Sequence, residues 1–154
     1  MKIVFSLSLP RDEASVPVVR HICRDALLNL GVQRESVEEI EVATSEACTN
    51  VLKHVSGTQD SYEVSVEVND SQCEIRVIDT GYGFDYSSLE DFGHTHVDPD
   101  AEGGRGIFLM RAMVDSIRFT SEPEQGTIVH LIKHLELEED SVLRRLISVV
   151  TPHD

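Results

Sequence analysis

Cysteine is scarce in this sequence, and the few cysteines present show no paired spacing. Cys23, Cys48 and Cys73 are odd in number, lie far apart and form no C-x-x-C pair. This spacing argues against both a disulfide framework and a zinc site. We therefore predict reduced thiols with a structural role.

Long apolar runs are also missing. No uncharged apolar segment approaches the roughly 20 residues that a membrane-spanning helix needs. The first residues, KIVFSLSL, alternate in polarity, which predicts a β-strand better than a signal peptide. We therefore expect a cytoplasmic protein without a membrane partner.

Positive charge is low. The chain has 28 Asp and Glu residues against 13 Lys and Arg residues, which gives a net charge of −15. Such a surface repels phosphate backbones, so direct binding of nucleic acid is not expected. A basic protein surface is a compatible partner, because opposite charges accelerate encounter. Solubility alone explains the same acidity.

The hydrophobic pattern predicts a single α+β domain over residues 1–154. Strand-like alternation and helix-like periodicity give the order strand, two helices, two strands, long loop, helix, two strands and helix. This order indicates a two-layer sandwich with a mostly antiparallel sheet and helices on one face. The second helix is predicted from about Glu35 to His54, with Ser36 as its N-cap. The long loop covers residues 81–104, and loops of that length are typically functional.

Glu46 and Asn50 stand in the middle of the second predicted helix, beside its apolar stripe. Four residues correspond to about 6 Å of rise and about 40° of rotation, so the two side chains project together. They can converge on one ligand. An unpaired carboxylate facing the sheet would cost several kcal/mol, so burial would require a partner group. Alternatively, both residues flank the stripe and remain solvated.

Two glycine-containing segments follow. In VIDTGYGFD, Asp79 ends a strand, and Gly81 and Gly83 permit a tight turn close to a ligand. A carboxylate held at a strand end suits an amine donor, although an ordinary turn has the same pattern. In EGGRGIFLM, a glycine cluster immediately precedes a predicted helix, where free N–H groups favour anions. Loop flexibility explains this cluster equally well; it consists of Gly103, Gly104 and Gly106.

Taken together and in this order, the segments resemble the histidine-kinase-like (GHKL) ATPase superfamily. Within it, the chain is similar to the serine-kinase anti-sigma factors of bacteria. The resemblance extends from the first strand to about residue 135, which leaves a helical extension at about 136–154. It rests on TSEACTNVLKH, DTGYGFD, EGGRGIFLMRAMVDSI and GTIVHL.

The resemblance implies an ATP site and a Mg²⁺ ion. Asn50 would be the direct protein ligand to Mg²⁺, and Glu46 would be the catalytic base. Asp79 would accept a hydrogen bond from the adenine amino group, with Thr127 in support. Gly81 and Gly83 would let the chain close around the base. Residues 102–106 would wrap the phosphates, with Gly103, Gly104, Arg105 and Gly106 as the contributing positions; Arg105 would contact either phosphate or a partner.

The resemblance also implies an activity and partners. We expect an ATP- and Mg²⁺-dependent serine-protein kinase that sequesters an RNA polymerase sigma factor. Its substrate would be a serine on an anti-anti-sigma protein with a STAS domain, and it would act as a homodimer. Two alternatives remain open: a nucleotide-gated binding module without significant catalysis, and a switch kinase that phosphorylates a STAS scaffold without binding sigma.

Overall fold

The computed structural model describes residues 2–54, 61–79, 102–122 and 126–150. The predicted turn glycines Gly81 and Gly83 lie outside these ranges. None of the described helices combines the length and apolar character that crossing a membrane requires. The described elements are β1 (Ile3–Pro10), α1 (Ser15–Asn29), α2 (Arg34–His54), β2 (Ser61–Val68), β3 (Gln72–Asp79), α3 (Glu102–Met113), β4 (Ser116–Glu122), β5 (Gly126–His134) and α4 (Val142–Val150).

The five described strands form one sheet in the order β1-β2-β3-β5-β4. All four pairings are antiparallel. Alternate residues of each strand point toward the helices, so one apolar row crosses the whole sheet. The row consists of Phe5, Val66, Ile75, Leu131 and Ile117. An antiparallel sheet with helices beside it confirms the predicted α+β fold.

The core lies between this sheet and the helices. Helix α2 contacts β3 and β5, α1 contacts β1 and α2, and α3 contacts β4 and α2. The residues of α2 that face the sheet are small or medium in size, and Ile40, Ala43, Ala47 and Val51 are fully buried. The three- and four-residue spacing of these positions is what makes one side of the helix apolar. Helix α2 is therefore the central helix of the layer.

Helix α2 begins earlier than predicted, and Ser36 is not its N-cap. The helix starts at Arg34, and the Val37 N–H donates to the Gln33 carbonyl at 3.1 Å. A serine followed by a glutamate three residues later is typical of a capping box. Here, however, Gln33 N–H donates to the Glu136 carbonyl at 2.8 Å, and this long-range bond fixes the entry to the helix.

The glycine cluster lies inside helix α3, so its predicted position in the preceding loop was wrong. Helix α3 begins at Glu102, before Gly103. Glycine is about 1 kcal/mol less favourable than alanine in a helix, which is why the sequence indicates a loop. Burial of Ile107 and Met110 in the core overrides that preference. The first turn of a helix still leaves backbone N–H groups without intrahelical partners, so the start of α3 can still donate hydrogen bonds to an anion.

A tight junction joins the end of α1 to the segment before α4. Gly31 follows α1 with φ 86°, a left-handed conformation that glycine commonly adopts at the end of a helix. Ser141 Oγ donates to the Leu30 carbonyl at 2.6 Å, and Leu143 N–H donates to the same carbonyl at 2.9 Å. Leu143 is fully buried. Helix α4 thus begins against the core.

All three cysteines are buried and free, which confirms the predicted reduced thiols. Burial raises the pKa of Cys23 to about 11 and those of Cys48 and Cys73 to about 12. Burial also raises the pKa of Tyr62 to about 12. At neutral pH these groups are protonated, and their thiols are poor nucleophiles.

Substitution of Gly31 by alanine is expected to lower the free energy of unfolding by at least about 2 kcal/mol. A positive φ alone costs a residue with a side chain about 1–2 kcal/mol. The added Cβ would also lie 2.7 Å from the Ser141 Cα. Urea unfolding of the Gly31→Ala variant measures this loss. Asp25→Ala, at an exposed position of α1, is the control and should change stability by less than about 0.5 kcal/mol. Equal stability of the two variants would contradict the close packing of Gly31 against Ser141.

Because the thiols are buried and protonated, we expect the free energy of unfolding to fall at alkaline pH. Their pKa values are higher in the folded than in the unfolded chain, so the stability they contribute is complete below about pH 9 and declines as the pH rises toward 12. For Cys48, raised from 9.0 to about 12, the loss at about pH 10.5 is about 2 kcal/mol. The Cys48→Ala variant should show a correspondingly smaller decline between pH 8 and about pH 10.5 in urea unfolding. Identical pH profiles would contradict a protonated buried thiol.

Candidate functional site

Helix α2 brings Glu46 and Asn50 to the same side of the helix, but at different depths. Asn50 is buried, with 6% of its surface exposed, whereas Glu46 is partly exposed. The Asn50 amide nitrogen is buried and has no hydrogen-bond partner within the described ranges. An unpaired buried donor costs about 1–3 kcal/mol, and such a cost is typical of a ligand site. Solvation of both side chains, the alternative interpretation, does not describe Asn50.

Glu46 lies at the edge of an open groove between α1 and α2. The groove has a volume of about 420 Å³. Arg20 of α1 lines one wall of the groove. The other wall, from α2, carries carboxylates that include Glu38 and Glu41. Because Glu46 is reachable from this side, its carboxylate can meet a group carried by a second molecule.

The end of β3 places Asp79 beside Thr127. The two residues are register partners in the β3–β5 pairing, and both are fully buried. Neither strand position alone predicts this contact. The pairing therefore brings together the two residues that the family resemblance assigns to one base-binding site.

Arg11 is the residue that sequence reasoning missed. It follows β1 directly, and its Nη1 forms an ion pair with Asp79 Oδ2. The Arg11 side chain is 13% exposed and the Asp79 side chain is 0% exposed. A basic residue after a strand gives no signal of a partner so distant in sequence, because the pair depends on the register of three strands.

Helix α2 contacts each element that carries a predicted site residue. It packs against α3, β3 and β5. The backbone of α3 begins with the segment 102–106, which includes Arg105. Two further polar atoms on α2, Thr44 Oγ1 and Ser45 Oγ, are buried without a hydrogen-bond partner among the residues that the structure describes. No sequence pattern singles out these two hydroxyl groups, because a serine or threonine inside a helix commonly bonds a carbonyl group of the same helix.

Comparison with known proteins identifies the family of this chain. The histidine kinase-like ATPase domain family matches residues 9–133. The serine-protein kinase RsbW of Bacillus velezensis is 31% identical over 140 residues, which cover 86% of each chain. The RsbW of Bacillus subtilis is 30% identical over 140 residues, again with 86% of each chain covered.

A solved structure shows the same fold. The structure of the RsbU and RsbW domains of Rv1364c from Mycobacterium tuberculosis matches with a TM-score of 0.65 at 20% sequence identity. The match covers 86% of this chain and 32% of that longer chain. Since the family match covers most of the chain and relatives of 30% identity or more align across it, this chain belongs to the histidine kinase-like ATPase family, in the group of the RsbW serine-protein kinases.

Proposed function

We propose that this chain is an ATP- and Mg²⁺-dependent serine-protein kinase and anti-sigma factor. Its relatives carry the name serine-protein kinase. The observation that carries the proposal is the pair on α2: a buried amide without a hydrogen-bond partner in the described ranges at Asn50, one turn from the partly exposed carboxylate of Glu46. This combination supports a fixed ligand group next to a reachable proton acceptor.

The donor set on α2 fits a metal–nucleotide complex. An amide oxygen is a ligand type that Mg²⁺ accepts, and the amide nitrogen of Asn50 is a donor suited to a phosphate oxygen. Asn50 would hold the ion, which when bound neutralises phosphate charge during phosphoryl transfer. Glu46 would take the proton from the attacking serine hydroxyl. The protein's part is thus to position the groups and to accept one proton.

The base and phosphates would be held by other elements. Asp79 and Thr127 would recognise the adenine, with Gly81 and Gly83 closing the turn beside it. The start of α3 would meet the phosphates, because its first N–H groups and the helix dipole favour anions. The contributing positions would be Gly103, Gly104, Arg105 and Gly106.

The partners are proposed from the family. They are a sigma factor, which the chain would sequester, and a STAS-domain anti-anti-sigma protein, which would carry the acceptor serine. The net charge of −15 supports binding to basic protein surfaces. A homodimer, a cytoplasmic location, and one domain with a core to about residue 135 and an extension at 136–154 complete the proposal.

Replacement of the proposed base tests catalysis. Glu46→Gln is expected to lower transfer of labelled phosphate from ATP to a STAS-partner serine by at least about 100-fold, because a general base contributes about 10²–10⁴-fold. Nucleotide affinity should change only a few-fold. Glu38→Gln is the matched control, since Glu38 lines the same groove. A stable complex with wild-type protein but no label would favour the nucleotide-gated module. Unchanged transfer in Glu46→Gln would exclude its role as the base.

Replacement of Asn50 tests nucleotide binding. In the wild type, Mg²⁺–ADP at about 100 times its dissociation constant should stabilise the fold by about 2.7 kcal/mol. Asn50→Ala should remove most of this gain at the same ligand concentration. The variant without nucleotide should melt within about 4 °C of wild type, because loss of an unpaired amide offsets the small cavity. Thermal unfolding with and without Mg²⁺–ADP measures both. Full nucleotide stabilisation of the variant would contradict the role of Asn50.

A further inference from the structure

The turn between β1 and α1 is held by its own hydrogen bonds. Asp12 Oδ1 accepts from the Ala14 N–H at 2.8 Å, and the Asp12 carbonyl accepts from Ser15 Oγ at 2.6 Å. Ser15 Oγ also shares a buried hydrogen bond of 2.6 Å with the Tyr62 hydroxyl of β2. The backbone that follows Arg11 is therefore fixed against the sheet.

Arg11 reaches the end of β3 from this turn. Strand β2 lies between β1 and β3, and its first residue, Ser61, pairs with Pro10. The guanidinium group passes this strand end and pairs with Asp79 Oδ2, where both side chains are largely withdrawn from solvent. Removal of one partner from a buried ion pair leaves an uncompensated charge, which is strongly unfavourable.

We propose that Arg11 is a positioning residue for nucleotide recognition: its guanidinium holds the Asp79 carboxylate ionised and oriented, so that the carboxylate selects the 6-amino group of a purine. This inference rests on the proposed function, in which Asp79 meets the base. It adds a residue from a different part of the chain to that recognition.

The chemistry of a buried carboxyl group explains why a cation is needed. A carboxyl group buried without a counter-ion favours its neutral, protonated form. The neutral form presents an O–H donor and a weaker acceptor, whereas the ionised form has acceptors only. Hydrogen bonds to an ionised acceptor are roughly twice as strong as neutral ones. With Arg11 beside it, Asp79 therefore binds a purine that carries a 6-amino group more tightly than a purine that lacks it.

The test compares two nucleotides that differ only at position 6 of the base. ADP carries the amino group, and the 5′-diphosphate of purine riboside lacks it. For the wild type we expect ADP to bind at least about tenfold tighter, as a hydrogen bond to a charged group allows. In Arg11→Met this ratio should fall to about threefold or less, since a neutral acceptor remains. Calorimetric titration of both ligands measures the ratio of their affinities. A purely structural defect would weaken the binding of both ligands and leave this ratio unchanged.

Matched variants isolate the charge at Arg11. Arg11→Lys keeps the cation and should retain most of the wild-type ratio. Arg24→Met removes an equal charge from α1, where Arg24 pairs with Glu41 at 2.8 Å, and should leave the ratio unchanged. If Arg11→Met does not fold, Arg11→Gln decides, because it keeps a donor toward Asp79 without the charge and should show the reduced ratio.

The outcomes separate this inference from the proposed function. A wild-type ratio in Arg11→Met, or in Arg11→Gln where it is the variant used, would overturn the role of Arg11 and leave nucleotide binding intact. Tighter binding of ADP to the variant would also overturn it, since Arg11 would then compete with the base. Failure of the wild type to bind ADP, or to distinguish the two nucleotides, would overturn the base site of the proposed function together with this inference.

Discussion

The close approach of α2 to the sheet is the constraint on which the candidate site depends. Ala43 and Ala47 are fully buried on this helix, which contacts β3 and β5. Their small side chains allow a short distance between helix and sheet at the density of a protein interior. Asn50 follows Ala47 by three residues and lies on the same side, so the packing carries its amide into the interior. Apolar contacts thereby decide where the polar chemistry of the site lies.

Asp79 and Asn50 are both buried polar residues of the candidate site, but they differ in their partners. Asp79 has a cation from the same chain, because Arg11 forms an ion pair with it. The Asn50 amide nitrogen has no such partner in the part of the chain that the structure describes. A paired carboxylate is compatible with a stable fold, whereas an unpaired amide lowers stability by about 1–3 kcal/mol. Under the proposed function, the phosphate end of the nucleotide supplies what Asn50 lacks, and the base end meets a group that is already oriented.

The sequence was informative where local pattern and tertiary packing agree. Period-two alternation predicted the strands, and the spacing of Glu46 and Asn50 predicted their common side of α2. It was less informative where distant contacts decide. The starts of α2 and α3 depend on a bond from Gln33 to Glu136 and on burial of Ile107, neither of which a local window contains. The ion pair of Arg11 with Asp79 depends on strand order, so no spacing rule along the chain reveals it.

One turn of α2 spans the boundary between the interior and solvent. Four residues rotate a helix by about 40° beyond a full turn, which is enough to separate two environments while the side chains remain neighbours. Asn50 is buried, and burial restricts its side chain, which suits the metal-ligand role proposed for it. Glu46 is partly exposed at a groove about 420 Å³ in volume, and this leaves its carboxylate reachable. A kinase that acts on a protein needs both properties at adjacent positions, because the nucleotide must be held rigidly while the acceptor hydroxyl arrives on another molecule.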